Sequence, residues 1–330
     1  IFEYMTSFLF EKGFKIILFI LINSLVIRYL GPENFGLLAF FSSSFAIFTP
    51  LGKLGLNGPL INQLIKQEND KESLLSNAII SQFIIGLILT LIFWIYILIK
   101  YRNDQASLII GIIISSAFVF STCQASFCWF EAKGKILSLS IINSLIYSFI
   151  SIFRLLFVYI KLDTFYFALL ILFESFFLFL GRIILLKKSI FLKLRNNFSI
   201  LKSKSLLSNT WPLIFAETFK ISFLNLTIIL IGIYGDNEKV GYFGAVMTIM
   251  NGLYLLPQAF TGSIRPKLYK LYSQDIKKFN KLFIQYLSIL IFSGFFISII
   301  LYISSSTIIN LLYGKNYDQS LRIMEVLIWT

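Results

Sequence analysis

The sequence contains no histidine, only two cysteines and only 16 acidic residues among 330. Histidine is the commonest metal ligand and general base near neutral pH, so its absence argues against catalytic triads and most zinc sites. Cys123 and Cys128 lie on different faces of one predicted helix, so they form neither a disulfide nor a Cys-x-x-Cys redox pair. Hydrolytic chemistry is therefore disfavoured, and no metal site is expected.

Apolar residues dominate what is present: 57% of the residues are hydrophobic, 17% are aromatic and only 14% are charged. Apolar runs of about 18 or more residues recur, and each is long enough to cross a hydrocarbon layer of about 30 Å as a helix. The sequence therefore predicts an all-α polytopic membrane protein. The predicted spans are 13–30, 35–60, 76–99, 108–128, 137–160, 164–186, 211–233, 240–263 and 282–309, and a tenth begins near residue 321.

The two ends of the sequence favour a fragment of a longer protein. The chain begins without methionine and stops inside an apolar run. No small-residue cleavage pattern follows the first apolar run, so that run is expected to remain as a helix.

Basic residues set the predicted orientation in the membrane. Loops after the even-numbered spans hold sixteen Lys and Arg residues, whereas the opposite loops hold six. Because cytoplasmic loops carry the excess of basic residues, the N-terminus is expected in the cytoplasm. The formal net charge of +13 then reflects orientation and anionic lipid headgroups, and no nucleic-acid partner is expected.

The longest polar stretch, residues 187–210, divides six predicted spans from the rest. Its Phe191, Leu194, Phe198 and Leu201 share one helical face between basic residues, which predicts an amphipathic linker on the cytoplasmic membrane surface. A solvated linker is the alternative. The predicted domains are a six-helix lobe at 1–186, this linker, and an incomplete second lobe at 211–330.

An internal similarity relates the two predicted lobes. At an offset of 205 residues, "FGLL" from Phe35 aligns with "VGYF" from Val240, and Asp70 aligns with Asp275. Equivalent spans share an orientation, which predicts two six-helix bundles in a parallel pseudo-repeat around a central cavity, the second bundle truncated. Chance similarity between two apolar segments is the alternative.

Five short stretches resemble a known family. They are "RYLGPENFGLLAF" (28–40), "GLNGPLINQLI" (55–65), "WPLIF" (211–215), "VGYFGAV" (240–246) and "LLYGKNYDQSLRIMEVL" (311–327). In order and spacing they resemble the polysaccharide flippases of the multidrug/oligosaccharidyl-lipid/polysaccharide exporter superfamily, especially O-antigen and capsule repeat-unit translocases. The resemblance covers about residues 11 to 330.

This resemblance implies a twelve-helix, two-lobed fold in the bacterial cytoplasmic membrane. Such proteins move undecaprenyl-diphosphate-linked oligosaccharide to the outer leaflet by alternating access, for surface polysaccharide or lipopolysaccharide biosynthesis. No covalent chemistry and no cofactor are implied; the expected partners are the lipid-linked substrate, membrane lipids and other glycan assembly proteins. Where many relatives carry Arg-x-Asp in the seventh span, this chain has Asn225 and Thr227, so the resemblance places no coupling ion there.

Cations inside the spans are the candidate contacts for a diphosphate headgroup. An unpaired anion at low dielectric is costly, and ionisable residues in spans usually face the protein interior or water. Lys53 and Arg154 lie inside the second and fifth spans, and Arg28 lies near the outer end of the first. Similar flippases use lumenal arginines in stretches like those of Arg28 and Lys53. Snorkelling to the membrane surface is the alternative, and Arg182, near the inner end of its span, is assigned to the interface.

Two acidic residues complete the candidate set. Glu217 and Lys220 share one face of the seventh span, which suggests a switchable latch or a structural bridge, and Lys220 is also counted among the lumenal cations. Glu174 lies near the middle of the sixth span, where it is proposed to bind a coupling proton or sodium ion. A neutral, hydrogen-bonded acid between helices is the alternative.

Pro257 interrupts the eighth span, which predicts a kink that could serve as a hinge. Two other functions remain open. A multidrug efflux transporter of the same fold would want an acidic cavity for cationic drugs, whereas cations outnumber acids here. A membrane-bound glycan polymerase would need larger outer loops than "GPEN" and "KLDT", which offer only Glu33 and Asp163. We therefore expect a transporter and not an enzyme.

Overall fold

The computed structural model describes residues 2–66, 71–122, 124–134, 136–186 and 210–329, and its regular elements there are helices. In chain order the α-helices are α1 (Phe2–Lys53), α2 (Asn57–Lys66), α3 (Lys71–Lys100), α4 (Gln105–Thr122), α5 (Ala125–Ala132), α6 (Ile136–Ile160), α7 (Thr164–Leu185), α8 (Trp211–Tyr234), α9 (Asn237–Gln274), α10 (Ile276–Leu312) and α11 (Gln319–Leu327). A 3₁₀ turn, Lys315–Tyr317, precedes α11.

Within the described residues, six helical stretches are long and apolar enough to cross a membrane. They are Ile20–Ile65, Lys71–Lys100, Gln105–Ala132, Leu137–Ile160, Thr164–Leu185 and Ile276–Leu312. The bent helix α8 makes a seventh if its two halves form one span. The all-α polytopic class is thereby confirmed, while the predicted total of nine to ten spans and their arrangement in two six-helix bundles stay predictions.

The first two predicted spans form one helical stretch, α1, interrupted at Gly31. Gly31 has φ 73° and ψ 170°, a conformation that costs glycine little because it lacks Cβ. Pro32 follows and can donate no backbone hydrogen bond. The turn predicted from "GPEN" is therefore a kink at a single residue.

Two predicted spans are each divided where the sequence shows an unbroken apolar run. The second ends as helix at Lys53, and Leu54 and Gly55 take φ 61° and 57° before α2 begins. The fourth is divided between α4 and α5. The inner ends of both spans are thus short separate helices, which the apolar pattern could not reveal because both segments are equally hydrophobic.

Residues Leu37–Asn237 form one compact unit. Its inner core joins α2, α3 and α5 through Leu56, Leu60, Leu75 and Trp129. Phenylalanines join α4, α6 and α7 elsewhere in this unit; the ring pairs include Phe120 with Phe176 at 5.1 Å and Phe149 with Phe177 at 6.1 Å between centroids. Edge contacts of this kind add to the packing energy of buried rings.

Residues Ile1–Gly36 and Glu238–Thr330 form the other compact unit. Two buried tyrosines tie its segments together: the Tyr317 hydroxyl donates to the Ile27 carbonyl at 2.9 Å, and the Tyr313 hydroxyl donates to the Ala245 carbonyl at 2.8 Å. Burial raises the pKa of both hydroxyls, so they stay protonated and keep donating.

These packing units divide the chain at points other than the predicted lobes. The predicted lobes were 1–186 and 211–330, whereas α8 packs with the residues before it and the first part of α1 packs with the residues after 237. The lobe boundaries stay a prediction. The predicted linker at 187–210 lies outside the described residues, apart from Thr210.

Gly241 provides a test of the packing in the second of these units. A Cβ at Gly241 would collide with the carbonyl oxygen of Pro32, and backbone cannot move aside cheaply. We expect Gly241→Ala to lower the free energy of unfolding by about 1–3 kcal/mol, measured as thermal unfolding of the protein in detergent. Gly294→Ala is the control, because a Cβ there meets no atom within 4 Å. Equal stability of the two variants would contradict this packing.

Candidate functional site

Five of the seven predicted site residues lie in the unit formed by Leu37–Asn237. They are Lys53 on α1, Arg154 on α6, Glu174 on α7, and Glu217 and Lys220 on α8. Arg28 and Pro257 belong to the other unit. The predicted set is thus divided, and the larger part can be described as one site.

Arg154 and Glu174 form an ion pair between neighbouring helices. Arg154 Nη2 lies 2.5 Å from Glu174 Oε2, and each side chain is only 19% exposed. The two helices form an antiparallel hairpin through the short turn at Lys161–Asp163, which brings the middle of α6 beside the middle of α7. A lone charge at this depth would be expensive, so each residue offsets the cost of burying the other.

Arg182 continues this site along α7. Tyr147 lies within electrostatic range of Glu174, Arg154 and Arg182, and therefore connects the ion pair with Arg182. The helices can approach closely here because Gly181 has no side chain: a Cβ would lie 2.8 Å from Ile142 Cγ2. Arg182 was assigned from the sequence to the membrane interface, and its place beside the candidate residues is a feature that the sequence did not indicate.

Lys53 and Glu217 form the other end of the site. Glu217 on α8 and Arg182 on α7 both act electrostatically on the Lys53 ammonium group. The approach of α8 depends on Gly55, since a Cβ there would lie 2.9 Å from the Thr210 carbonyl oxygen. Both Lys53 and Glu217 are partly buried.

We call Lys53, Arg154, Glu174, Arg182 and Glu217 the charged cluster. It holds three cations and two carboxylates, which leaves one formal positive charge. Its members come from four helices, α1, α6, α7 and α8, and electrostatic contacts connect them. Such a cluster inside apolar spans can bind an anion that displaces the carboxylates from their cations.

Three predicted residues lie outside this cluster. Lys220 is exposed, and the charge that acts on Lys53 comes from its helical neighbour Glu217. Arg28 is exposed beside the turn at Gly314, where a Cβ would lie 3.4 Å from Arg28 Nε. Pro257 is exposed within α9, which is helical on both sides of it. The headgroup, latch and hinge roles of these residues stay predictions.

A bend in α8 is a second feature that the sequence did not indicate. The segments Trp211–Phe223 and Asn225–Tyr234 meet at 56°. Asn225 Nδ2 donates to the Ile221 carbonyl at 2.9 Å, which supplies a partner to a carbonyl beside the bend. The bend contains neither Pro nor Gly, so its one sequence signal is an asparagine in an apolar run.

The helices and the charged cluster define a polytopic membrane protein with the fold of a transporter. A solved structure described as the "Inward-facing conformation of a multidrug resistance MATE family transporter of the MOP superfamily" has a similar fold, with a TM-score of 0.67. The sequences are 15% identical, and the match covers 95% of this chain and 76% of that one. At this identity the likeness concerns the fold alone.

A family model described as "Polysaccharide biosynthesis protein" matches residues 25–322. The chain therefore belongs to this polysaccharide biosynthesis family, which confirms the family resemblance carried by its motifs. No curated protein sequence matches the chain significantly.

The Arg154–Glu174 pair generates a stability prediction. Arg154→Met leaves a carboxylate buried without its cation, so we expect a loss of about 3–5 kcal/mol in the free energy of unfolding. The double variant Arg154→Met/Glu174→Leu removes both charges and should recover most of that loss. Chemical or thermal unfolding in detergent measures both effects.

The matched control is Lys278→Met, which breaks the exposed Lys278–Asp275 pair, 75% and 36% exposed. Such surface pairs contribute about 0–1 kcal/mol. If the single and double Arg154 variants were equally stable, the pair would have no role in offsetting buried charge.

Proposed function

We propose that the protein is a flippase that moves a diphosphate-linked oligosaccharide lipid, such as an undecaprenyl-diphosphate-linked repeat unit, across the bacterial cytoplasmic membrane. Family membership supports a part in polysaccharide biosynthesis, and the fold supports transport. The observation that carries the proposal is the charged cluster, because its cations lie inside apolar helices where an anionic headgroup must pass.

The diphosphate is the costly part of such a substrate. Moving its charges through hydrocarbon without partners would cost many kcal/mol, whereas an apolar lipid chain can remain in the bilayer. In the proposal, Lys53, Arg154 and Arg182 bind the phosphate oxygens during passage. Arginine suits this role because its planar fork of donors matches phosphate geometry.

The carboxylates have a complementary role in the proposal. Glu174 and Glu217 neutralise their cations while the site holds no substrate, so the empty protein does not carry uncompensated charge. Substrate phosphate then competes with these carboxylates for the same cations. Protonation of Glu174 would release Arg154 to the substrate, which gives the proposed coupling to an ion gradient a physical form.

The remaining parts of the proposal concern the setting. Transport proceeds by alternating access, with a cytoplasmic N-terminus, Arg28 and Lys220 as headgroup contacts outside the cluster, and Pro257 as a hinge. The lipid leaves chemically unchanged, so the protein is not an enzyme. Other glycan assembly proteins supply the substrate and consume the product.

Multidrug efflux is a second candidate because the similar solved structure is described as a multidrug resistance transporter. Cationic drugs would favour surplus carboxylates, whereas the charged cluster has a surplus cation. The anionic substrate therefore fits the described residues better. Drug efflux by the reconstituted protein, without movement of the lipid, would favour this second candidate.

Removal of the Lys53 charge tests the headgroup role. We expect Lys53→Gln to lower the rate of diphosphate-lipid translocation in proteoliposomes by about tenfold or more, which corresponds to about 1.4 kcal/mol of lost interaction. Surface polysaccharide should fall in parallel in cells that depend on this protein. Arg154→Gln should act in the same direction.

Lys281→Gln is the matched control, because Lys281 is an exposed lysine on α10 outside the cluster. Membrane levels of all variants must be equal. Unchanged translocation in both the Lys53 and Arg154 variants would exclude them as headgroup contacts.

Glu174→Gln tests the coupling role, because glutamine mimics the protonated acid. We expect transport by this variant to lose most of its dependence on an imposed proton or sodium gradient. The measurement compares translocation with and without each gradient in proteoliposomes. Full gradient dependence in the variant would refute ion coupling through Glu174 and leave the headgroup proposal standing.

A further inference from the structure

A buried amide on α3 joins two of the helix ends described above. Gln82 is 0% exposed. Its Nε2 donates to the Lys53 carbonyl oxygen at 2.8 Å, and its Oε1 accepts from the Ala125 backbone N–H at 2.9 Å. One side chain thus connects three helices.

Both partners of Gln82 are backbone groups at helix ends. Lys53 is the last residue of α1, and Ala125 is the first residue of α5. The last carbonyls and the first N–H groups of a helix lack partners within that helix, and inside a membrane water does not supply them. Gln124, which precedes α5, makes no side-chain capping bond, so the Gln82 carbonyl fills that role for Ala125.

The chemistry of this position requires an amide or its equivalent. The side chain must donate in one direction and accept in the other, and a glutamine amide does both at once. Methionine has a similar length but can do neither well. A carboxylic acid can do both only when it is protonated, a form that burial favours.

We infer that Gln82 is a positioning residue that holds the end of α1, and hence the Lys53 ammonium group, at its place in the charged cluster. The backbone of Lys53 has one further partner, since the Leu56 N–H lies 3.4 Å from the same carbonyl oxygen. The shorter bond from Gln82 is the one that ties this helix end to a different element. The inference rests on the proposed role of Lys53 for its functional meaning, but its structural part can be tested separately.

The structural test measures thiol access at position 53. Lys53→Cys is made in the full-length protein with Cys123 and Cys128 replaced by serine and alanine, and labelling by a membrane-impermeant methanethiosulfonate reagent is timed. Adding Gln82→Met should speed labelling about tenfold, because the two helix ends then need water. Adding Gln82→Glu should restore the rate to within about twofold of the Gln82 protein, since the neutral acid supplies both bonds.

Thr90→Val is the matched control. Thr90 is a buried residue on the same helix whose hydroxyl donates to the Ser115 carbonyl at 3.4 Å, so its loss also removes a bond between helices, away from position 53. Labelling should not change in this variant. If Gln82→Met does not yield folded protein, Gln82→Asn replaces it, because the shorter amide cannot reach both partners. Unchanged labelling in the Gln82 variant, an equal change in Thr90→Val, or no rescue by Gln82→Glu would overturn the inference.

The functional test measures binding of undecaprenyl diphosphate to the protein with its native lysine. Lys53→Ala and Gln82→Met should each weaken binding about tenfold, and the double variant should be no weaker than Lys53→Ala alone, since both changes act through one contact. Additive losses would overturn positioning through Lys53. If Lys53→Ala binds normally, the headgroup role fails, and the labelling experiment alone then decides whether Gln82 positions this helix end.

Discussion

Hydrocarbon supplies no hydrogen bonds, so every charge and every helix end inside the membrane must find its partner within the protein. This constraint accounts for the main features of the unit formed by Leu37–Asn237. Arg154 and Glu174 meet across two helices, Lys53 lies near an acid from a third, and the broken spans have their exposed backbone groups bound by Gln82. Polar residues in this chain are few, and those inside the spans have specific partners.

The sequence predicts the class of the protein well because the spans depend on length and hydrophobicity alone. The end of α6 at Ile160, the start of α7 at Thr164 and the break at Gly31 follow from turn residues whose backbone preferences are strong. The breaks after Lys53 and Thr122 do not follow, because leucine-rich helix and leucine-rich turn look alike in a hydrophobic run. The 56° bend of α8 shares this difficulty.

The candidate site was predictable by residue but not by arrangement. Charges within apolar runs are conspicuous, so Lys53, Arg154, Glu174 and Glu217 could be chosen from the sequence, and Arg154 was named as a neighbour of Glu174. Glu217 was expected beside Lys220, three residues away on its own helix, whereas the structure brings it near Lys53. Partners on different helices depend on how the helices pack, and small residues such as Gly55 and Gly181 determine that packing here.

The hydrogen bond between Tyr317 and Ile27 joins residues 290 positions apart in the chain. The ribosome therefore completes the intervening residues before the outer part of α1 meets its tyrosine. Residues 37–237 are contiguous and can pack while synthesis continues, but the first helix must wait in the bilayer or at the insertion machinery. Biogenesis of this protein thus has a built-in order: the middle of the chain matures first, and its earliest segment is among the last to find its place.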